Sequence, residues 1–168
     1  PVGNKPVLMR TISRFHEYDK SINIILVLPK EQQAYWKELC DKYHFYEEYT
    51  LTDGGDTRFQ SSKNGLMMIP DGEEGLVGIH DGVRPFVSIS TIARCYDTAG
   101  DTYAAIPVMP ATDTLRYIDK QGGGKNVLRS DYRVVQTPQV FDIALARQAF
   151  QVEYQPCFTD DASVVESL

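Results

Sequence analysis

An acid and an arginine three residues apart, Asp81 and Arg84, stand on the Gly/Pro-punctuated stretch His80-Asp81-Gly82-Val83-Arg84-Pro85. The apolar run Gly75-Leu76-Val77-Gly78-Ile79 leads directly into them. That is the form of a buried strand ending at a ligand-binding crevice. There the guanidinium can hold a phosphate through paired N–H groups, and the carboxylate can hold a metal ion or a sugar hydroxyl. A purely structural ion pair at the strand end uses the same residue types. His80 alternates to the other face, as a packed or hydrogen-bonded histidine does.

Four further groups carry chemistry-bearing residues. In Asp53-Gly54-Gly55-Asp56-Thr57-Arg58-Phe59-Gln60-Ser61 the glycines allow backbone approach to a flat or anionic ligand, and the helix that follows offers free N–H groups. A tight strand-to-helix turn accounts for the same residues. Asp113-Thr114 and Arg129 are polar positions on a possible hairpin. Thr137-Pro138-Gln139 closes the apolar run Arg133-Val134-Val135-Gln136. Phe158-Thr159-Asp160-Asp161-Ala162-Ser163 reads as a helix start with Thr159 or Asp160 as cap, or as a hydroxyl and N–H groups facing a phosphate.

The elements that must position these groups alternate along the chain. Val7, Leu8, Ile12 and Phe15 share a helical face; residues 21–28 form a β-branched run stopped by Pro29; Lys30 to Tyr43 is a helix with Trp36, Leu39 and Tyr43 inward. Glu47 to Thr52 is a short strand, and Asp56 caps a helix through Phe59, Ser62 and Leu66. After the strand into His80, Ser88 or Ser90 caps a helix ending near Gly100, and Tyr103 to Val108 forms another strand. This order predicts an α/β domain with a mostly parallel sheet covered by helices on both faces. The Gly-Gly turn, His80-Asp81, Pro107-Val108 and Thr137-Pro138 then fall at strand C-termini, which meet along one edge. Shared placement favours the functional account of each.

Residues 111–131 break the rhythm. Thr112 to Asp119 alternates, Gln121-Gly122-Gly123-Gly124 makes a tip, and Asn126 to Ser130 returns, so a protruding hairpin is expected. Its apolar faces need a partner, which implies a homodimer.

The bulk numbers set bounds. A chain of 168 residues with 42% hydrophobic side chains makes one domain with a real core. Seventeen basic against 23 acidic residues give a net charge of −6, which argues against nucleic acid as a partner. Cys40, Cys95 and Cys157 lack zinc or disulfide spacing and fit reduced, buried thiols in a cytoplasmic protein. No apolar run is long enough for a membrane span, and no signal peptide is evident.

Taken in order, Val77-Gly78-Ile79-His80-Asp81-Gly82-Val83-Arg84-Pro85, Pro107-Val108, Asp113-Thr114, Gln136-Thr137-Pro138-Gln139 and Thr159-Asp160-Asp161-Ala162-Ser163 resemble the 2-C-methyl-D-erythritol 4-phosphate cytidylyltransferases of non-mevalonate isoprenoid biosynthesis. The resemblance runs from Gly3-Asn4-Lys5-Pro6-Val7 to Val165-Glu166. It implies a Rossmann-like nucleotidyltransferase sheet with a dimerising β-arm. It also implies CTP and a polyol phosphate as substrates, with Mg²⁺ as cofactor. By the same resemblance Gly54, Gly55, Asp56 and Ser61 surround the cytosine and ribose, and Asp81 contacts the nucleotide and the metal. Arg84, Thr137 and Thr159 line the methylerythritol phosphate pocket; Asp113, Thr114 and Arg129 reach from the arm into a neighbouring subunit's site. Arg129 and Asp81 carry the catalytic roles, Arg129 by positioning the attacking phosphate.

Such a reaction needs no nucleophilic side chain, because a phosphate monoester with a second pKa near ~6 is already a dianion at neutral pH. In-line positioning and charge neutralisation suffice. The resemblance further implies a glycine-rich loop with Arg and Lys before Pro1, and a lysine after Leu168, as flanking segments. Two rival readings stay open at this level. One is a ribitol 5-phosphate cytidylyltransferase, from which Asp113-Thr114-Leu115-Arg116 points away; the other is a non-catalytic nucleotide-binding dimerisation module.

Overall fold

The structure is a computed structural model and describes residues 3–168. Helix α1 (Val7–Tyr18) turns Met9, Ile12 and Phe15 inward and ends at Asp19. Strand β1 (Ile25–Leu28) stops at Pro29, which opens α2 (Lys30–Tyr43) with Trp36 and Cys40 buried. A left-handed His44 at φ 51° ends that helix. Strand β2 (Thr50–Asp53) pairs parallel with β1, Ile25 against Thr50 and Leu28 against Asp53. Helix α3 (Arg58–Leu66) follows the Gly-Gly turn. Its cap is Thr57, whose hydroxyl accepts from the Gln60 N–H at 3.0 Å, and not Asp56 as expected. Thr57 has the extended backbone an N-cap requires, one residue later than the acid.

Strand β3 (Leu76–Ile79) delivers His80-Asp81, and Ser88 caps α4 (Ile89–Thr102), accepting from the Thr91 N–H. The expected continuous strand from Tyr103 to Val108 is divided. Ala104–Ala105 is β4, in the central sheet, while Val108–Pro110 is β5, at the base of the arm. A proline at 107 separates them.

Strand β9 (Gln139–Asp142) changes the sheet. It pairs antiparallel with both β3 and β4, in the order β3-β9-β4. The two outer strands therefore run parallel to each other, with one reversed strand between them. The α/β class stands, and β1 and β2 pair in parallel, but the central sheet is antiparallel where the element order predicted parallel pairing; period two carries no direction. Helices α5 (Ile143–Ala149) and α6 (Asp161–Val165) complete the chain.

The arm is longer than 111–131. Strands β6 (Arg116–Ile118) and β7 (Gly124–Asn126) form its outer hairpin. Strand β5 and β8 (Arg133–Val135) form an antiparallel stem below it. The return segment expected over 126–130 is only partly strand, since Arg129–Asp131 is a 3-10 turn. Asp119 makes the tip: its carboxylate accepts the Gln121 and Gly123 N–H groups, both at 2.9 Å.

Two large cores, and a small one of Cys95, Ala99 and Val140 beneath α4, hold the sheets. Met9, Ile12, Leu26, Trp36, Cys40 and Phe45 form one around β1. Phe59, Leu66, Phe141, Phe150, Ala162 and Val164 lie in the other. Helix α3 joins them: Gly65 sits so close to β1 that a Cβ would lie 3.0 Å from Val27, while Phe59 and Leu66 face the second core. Each buried phenylalanine contributes about 2 kcal/mol of apolar burial. Cys40 and Cys95 are buried as expected, but Cys157 is exposed. No described helix is long and apolar enough to cross a membrane.

Candidate active site

The rim forms where β3 ends beside the start of β9. The register pairs Ile79 with Gln139, so His80 and Asp81 emerge next to Thr137 and the cis Pro138. Thr137 thus reaches the rim from the N-terminal end of an antiparallel strand, not from a strand C-terminus as the alternation suggested. It is buried, and its hydroxyl accepts the Asp81 N–H at 3.3 Å. His80 Nε2 lies 3.0 Å from the Arg84 carbonyl and must carry the proton there. Its Nδ1, 2.9 Å from Thr137 Oγ1, therefore accepts from that hydroxyl. Edge-on packing against Phe15 completes the histidine's surroundings, and burial pulls its pKa below the ordinary 6.5. Both ring nitrogens of this histidine are thus spent on holding the loop.

Asp81 is held on both oxygens. Arg58 Nη1 donates to Oδ1, and Arg84 Nε donates to Oδ2 at 2.7 Å. Burial alone would raise this carboxyl, but the hydrogen bonds and charges of Arg58 and Arg84 outweigh it and hold its pKa below 3.8. Arg84 Nη1 also donates to Gln136. The structural ion pair and the proposed anion site are thus the same two side chains, half exposed at the rim.

The Gly-Gly turn lies on the other side of Arg58. Gly54 N–H extends the parallel ladder to the Leu28 carbonyl at 2.8 Å. A Cβ at Gly55 would come within 2.5 Å of Gln60 Cβ, so only glycine fits. Ser61 pins the turn: its hydroxyl accepts the Gly55 N–H at 3.0 Å and donates to the Thr57 carbonyl at 3.0 Å. Asp56 is exposed beside it.

The segment bearing Thr159 is tied to the same rim. Gln139, 1% exposed, donates to Asp160 at 2.8 Å and accepts the Ala162 N–H at 2.7 Å. Asp160 is the cap of α6 and completes a capping box with Ser163. Burial would raise its pKa, but hydrogen bonds from Gln139 and Ser163 prevail and lower it. Asp161, 1% exposed, receives Arg58 Nη2 and Ser62 Oγ.

The residues predicted from sequence therefore divide. Asp81, Arg84 and Thr137 meet directly at the rim; Gly54, Gly55, Asp56 and Ser61 belong to the turn and helix whose Arg58 reaches Asp81, and Thr159 directly precedes the α6 start that Arg58 also holds. Asp113, Thr114 and Arg129 lie on the arm, and among the described residues no hydrogen bond or ion pair joins them to the rim. Arg129 Nη1 instead donates to the Thr112 carbonyl at 2.6 Å, beside a pocket of about 440 Å³ shared with Arg133. A second cleft, of about 420 Å³, runs along α1; its Lys5 and His16 are paired to Glu47 and its Arg14 to Glu17.

Sequence reasoning passed over Arg58, Asp161, Gln136 and Gln139. One signal was available. Asp160-Asp161 at a helix start is one acid more than capping uses, and the second, on the core side, must find a cation.

Among the described residues no three potential metal ligands cluster. Asp81 is a lone carboxylate whose oxygens each keep a lone pair after the arginine contacts. That donor set fits a Mg²⁺ carried on substrate phosphates, and not one caged by protein alone.

The IspD family profile, described as 2-C-methyl-D-erythritol 4-phosphate cytidylyltransferase, matches residues 1–168. The chain is 56% identical over 168 residues to the enzyme of that name from Phocaeicola vulgatus, covering all of this chain and 75% of the relative. It is 52% identical to that from Bacteroides thetaiotaomicron, with the same coverage. Among solved structures, the 4-diphosphocytidyl-2C-methyl-D-erythritol synthase of Anaerococcus prevotii superposes with a TM-score of 0.84 at 28% identity, over 99% of this chain and 74% of that one. The Thermus thermophilus cytidylyltransferase gives 0.75 at 30% identity, over 99% and 76%. With the α/β sheet, the rim and the arm in place, this chain belongs to the 2-C-methyl-D-erythritol 4-phosphate cytidylyltransferase family.

Proposed function

We propose that this chain transfers a cytidylyl group from CTP to 2-C-methyl-D-erythritol 4-phosphate and releases pyrophosphate. The observation that carries the reading is the joining of Asp81, Arg84 and Thr137 with the Gly54-Gly55 turn on one sheet rim, in a chain of this family. The acceptor phosphate, largely dianionic at neutral pH, attacks the α-phosphorus directly, so no general base is required. The chain's task is alignment and charge neutralisation. Gly54, Gly55, Asp56 and Ser61 bound the nucleoside. Arg84, Thr137 and Thr159 bound the acceptor, with Asp113, Thr114 and Arg129 supplied by the arm. Asp81 would hold a Mg²⁺, which when bound neutralises triphosphate charge.

Because among the described residues no hydrogen bond or ion pair joins Arg129 to its own rim, we read the site as completed by a partner's arm. Met109, Tyr117, Ile118, Leu128 and Val134 stand exposed along the arm, the apolar surface a homodimer would cover. A continuous pyrophosphate-release assay with CTP tests the reading. Turnover with 2-C-methyl-D-erythritol 4-phosphate well above that with ribitol 5-phosphate is the expected result; the reverse preference overturns the substrate, and no release with either overturns the activity.

A further inference from the structure

Arg58 grips two carboxylates that are remote in the chain. One amino group of its guanidinium donates to Asp81, 23 positions on, and the other to Asp161, 103 positions on. Asp161 is 1% exposed, and its other oxygen takes the Ser62 hydroxyl at 2.6 Å. Ser62 lies one turn along α3 from Arg58, so the same helix holds the buried acid at two points. Asp81 in turn has its second oxygen on Arg84, which fixes the plane of a carboxylate that would otherwise rotate.

We propose that Arg58 is a positioning residue for cytidylyl transfer. It sets the Asp81 carboxylate and the start of α6, beside Thr159, from one rigid fork. The nucleotide side and the acceptor side of the rim are thereby kept at a common spacing. A cation serving only to neutralise Asp161 needs one contact. The second arm of the fork, spent on a half-exposed rim carboxylate, is what a lysine cannot supply at the same time. The inference rests on the role proposed for Asp81.

Five variants of the full chain, assayed by pyrophosphate release and thermal melting, test it: Arg58→Lys, Arg58→Met, Arg58→Met with Asp161→Asn, Asp81→Asn, and the triple variant that joins Arg58→Met and Asp161→Asn to Asp81→Asn. Arg58→Met alone leaves Asp161 buried and unpaired and lowers Tm by about 10 °C. The double variant removes charge and counter-charge together and regains most of that Tm, yet its kcat stays roughly 100-fold down. Arg58→Lys keeps Tm near the parent and still loses kcat. Added to Asp81→Asn, the double change lowers kcat by less than about threefold, as expected of residues acting as one unit. If kcat returns with Tm in the double variant, Arg58 is only a structural counter-ion and the proposal is overturned. A full multiplicative loss on the Asp81→Asn background overturns it too. Undiminished turnover in Asp81→Asn itself overturns the role of Asp81, which separates that failure from failure of Arg58.

Discussion

The rim and the arm use arginine in opposite ways. At the rim, Arg58 and Arg84 are bound to side chains, and carboxylates, hydroxyls and amides from four segments interlock over a buried Asp161. On the arm, Arg129 and Arg133 donate to backbone carbonyls, Arg116 spans its own hairpin to Asn126 and the Gly124 carbonyl, none of the three pairs with a carboxylate among the described residues, and apolar side chains face outward from both strand pairs. The rim's charged side chains are thus paired with one another, whereas the arm leaves an apolar surface exposed. On the function proposed above, a site built from both would gain reach from the arm and precision from the rim.

Four measurements break or sharpen that contrast. The largest effect is expected from Arg129→Ala, which should cut turnover about 10³-fold, as loss of a transition-state arginine does, while CTP affinity stays within about threefold. Equal loss of CTP affinity in a titration would place Arg129 on the nucleotide instead. Next comes Asp81→Asn, with turnover about 10²-fold lower and the fold retained by circular dichroism. Collapse of the fold would make the rim a structural ion pair and nothing more. Third, Ile118→Lys with Val134→Lys should halve the sedimenting mass while changing monomer stability by only about 0.5 kcal/mol. An unchanged mass would overturn the proposed arm-mediated dimer.

The smallest effect is on stability against pH. His80 has its pKa lowered from 6.5 by burial, and Asp81 and Asp160 have theirs lowered from 3.8 by their donors. In each case the unfolded chain takes up the proton first. Stability is therefore greatest above pH 6.5, declines as pH falls through the depressed His80 value, and declines again below 3.8. His80→Gln should flatten the first limb by roughly 2–4 °C between pH 7.5 and 5. A first limb that survives the substitution assigns it to another group.

Much of the fold was legible in the sequence because local signals were strong. Lys30–Tyr43 appears as a helix with the predicted bounds, after the proline that starts it, and Ser88 caps where a serine was expected. Strand direction was not legible. Residues 139–142, of which Gln139, Val140 and Phe141 are all buried, carry no mark of the direction in which they run, so the reversal of β9 could come only from tertiary pairing. The rim was found for a sound reason applied to partly wrong geometry: Thr137 is there, but it arrives from the opposite strand end. Arg58 went unseen because a lone arginine on an exposed turn of helix looks the same whether or not a buried acid waits across the chain.

The hydrogen bond between Gln136 N–H and the Pro107 carbonyl, 2.9 Å long, closes the foot of the arm. The chain leaves the sheet and re-enters it at adjacent points, so everything between is topologically an appendix. Closing so small a gap with a tight turn costs little chain entropy. Sheet and arm are in that sense separable inheritances: the arm can lengthen, shorten or change its partner without redrawing the strand order that holds Thr137 beside Asp81.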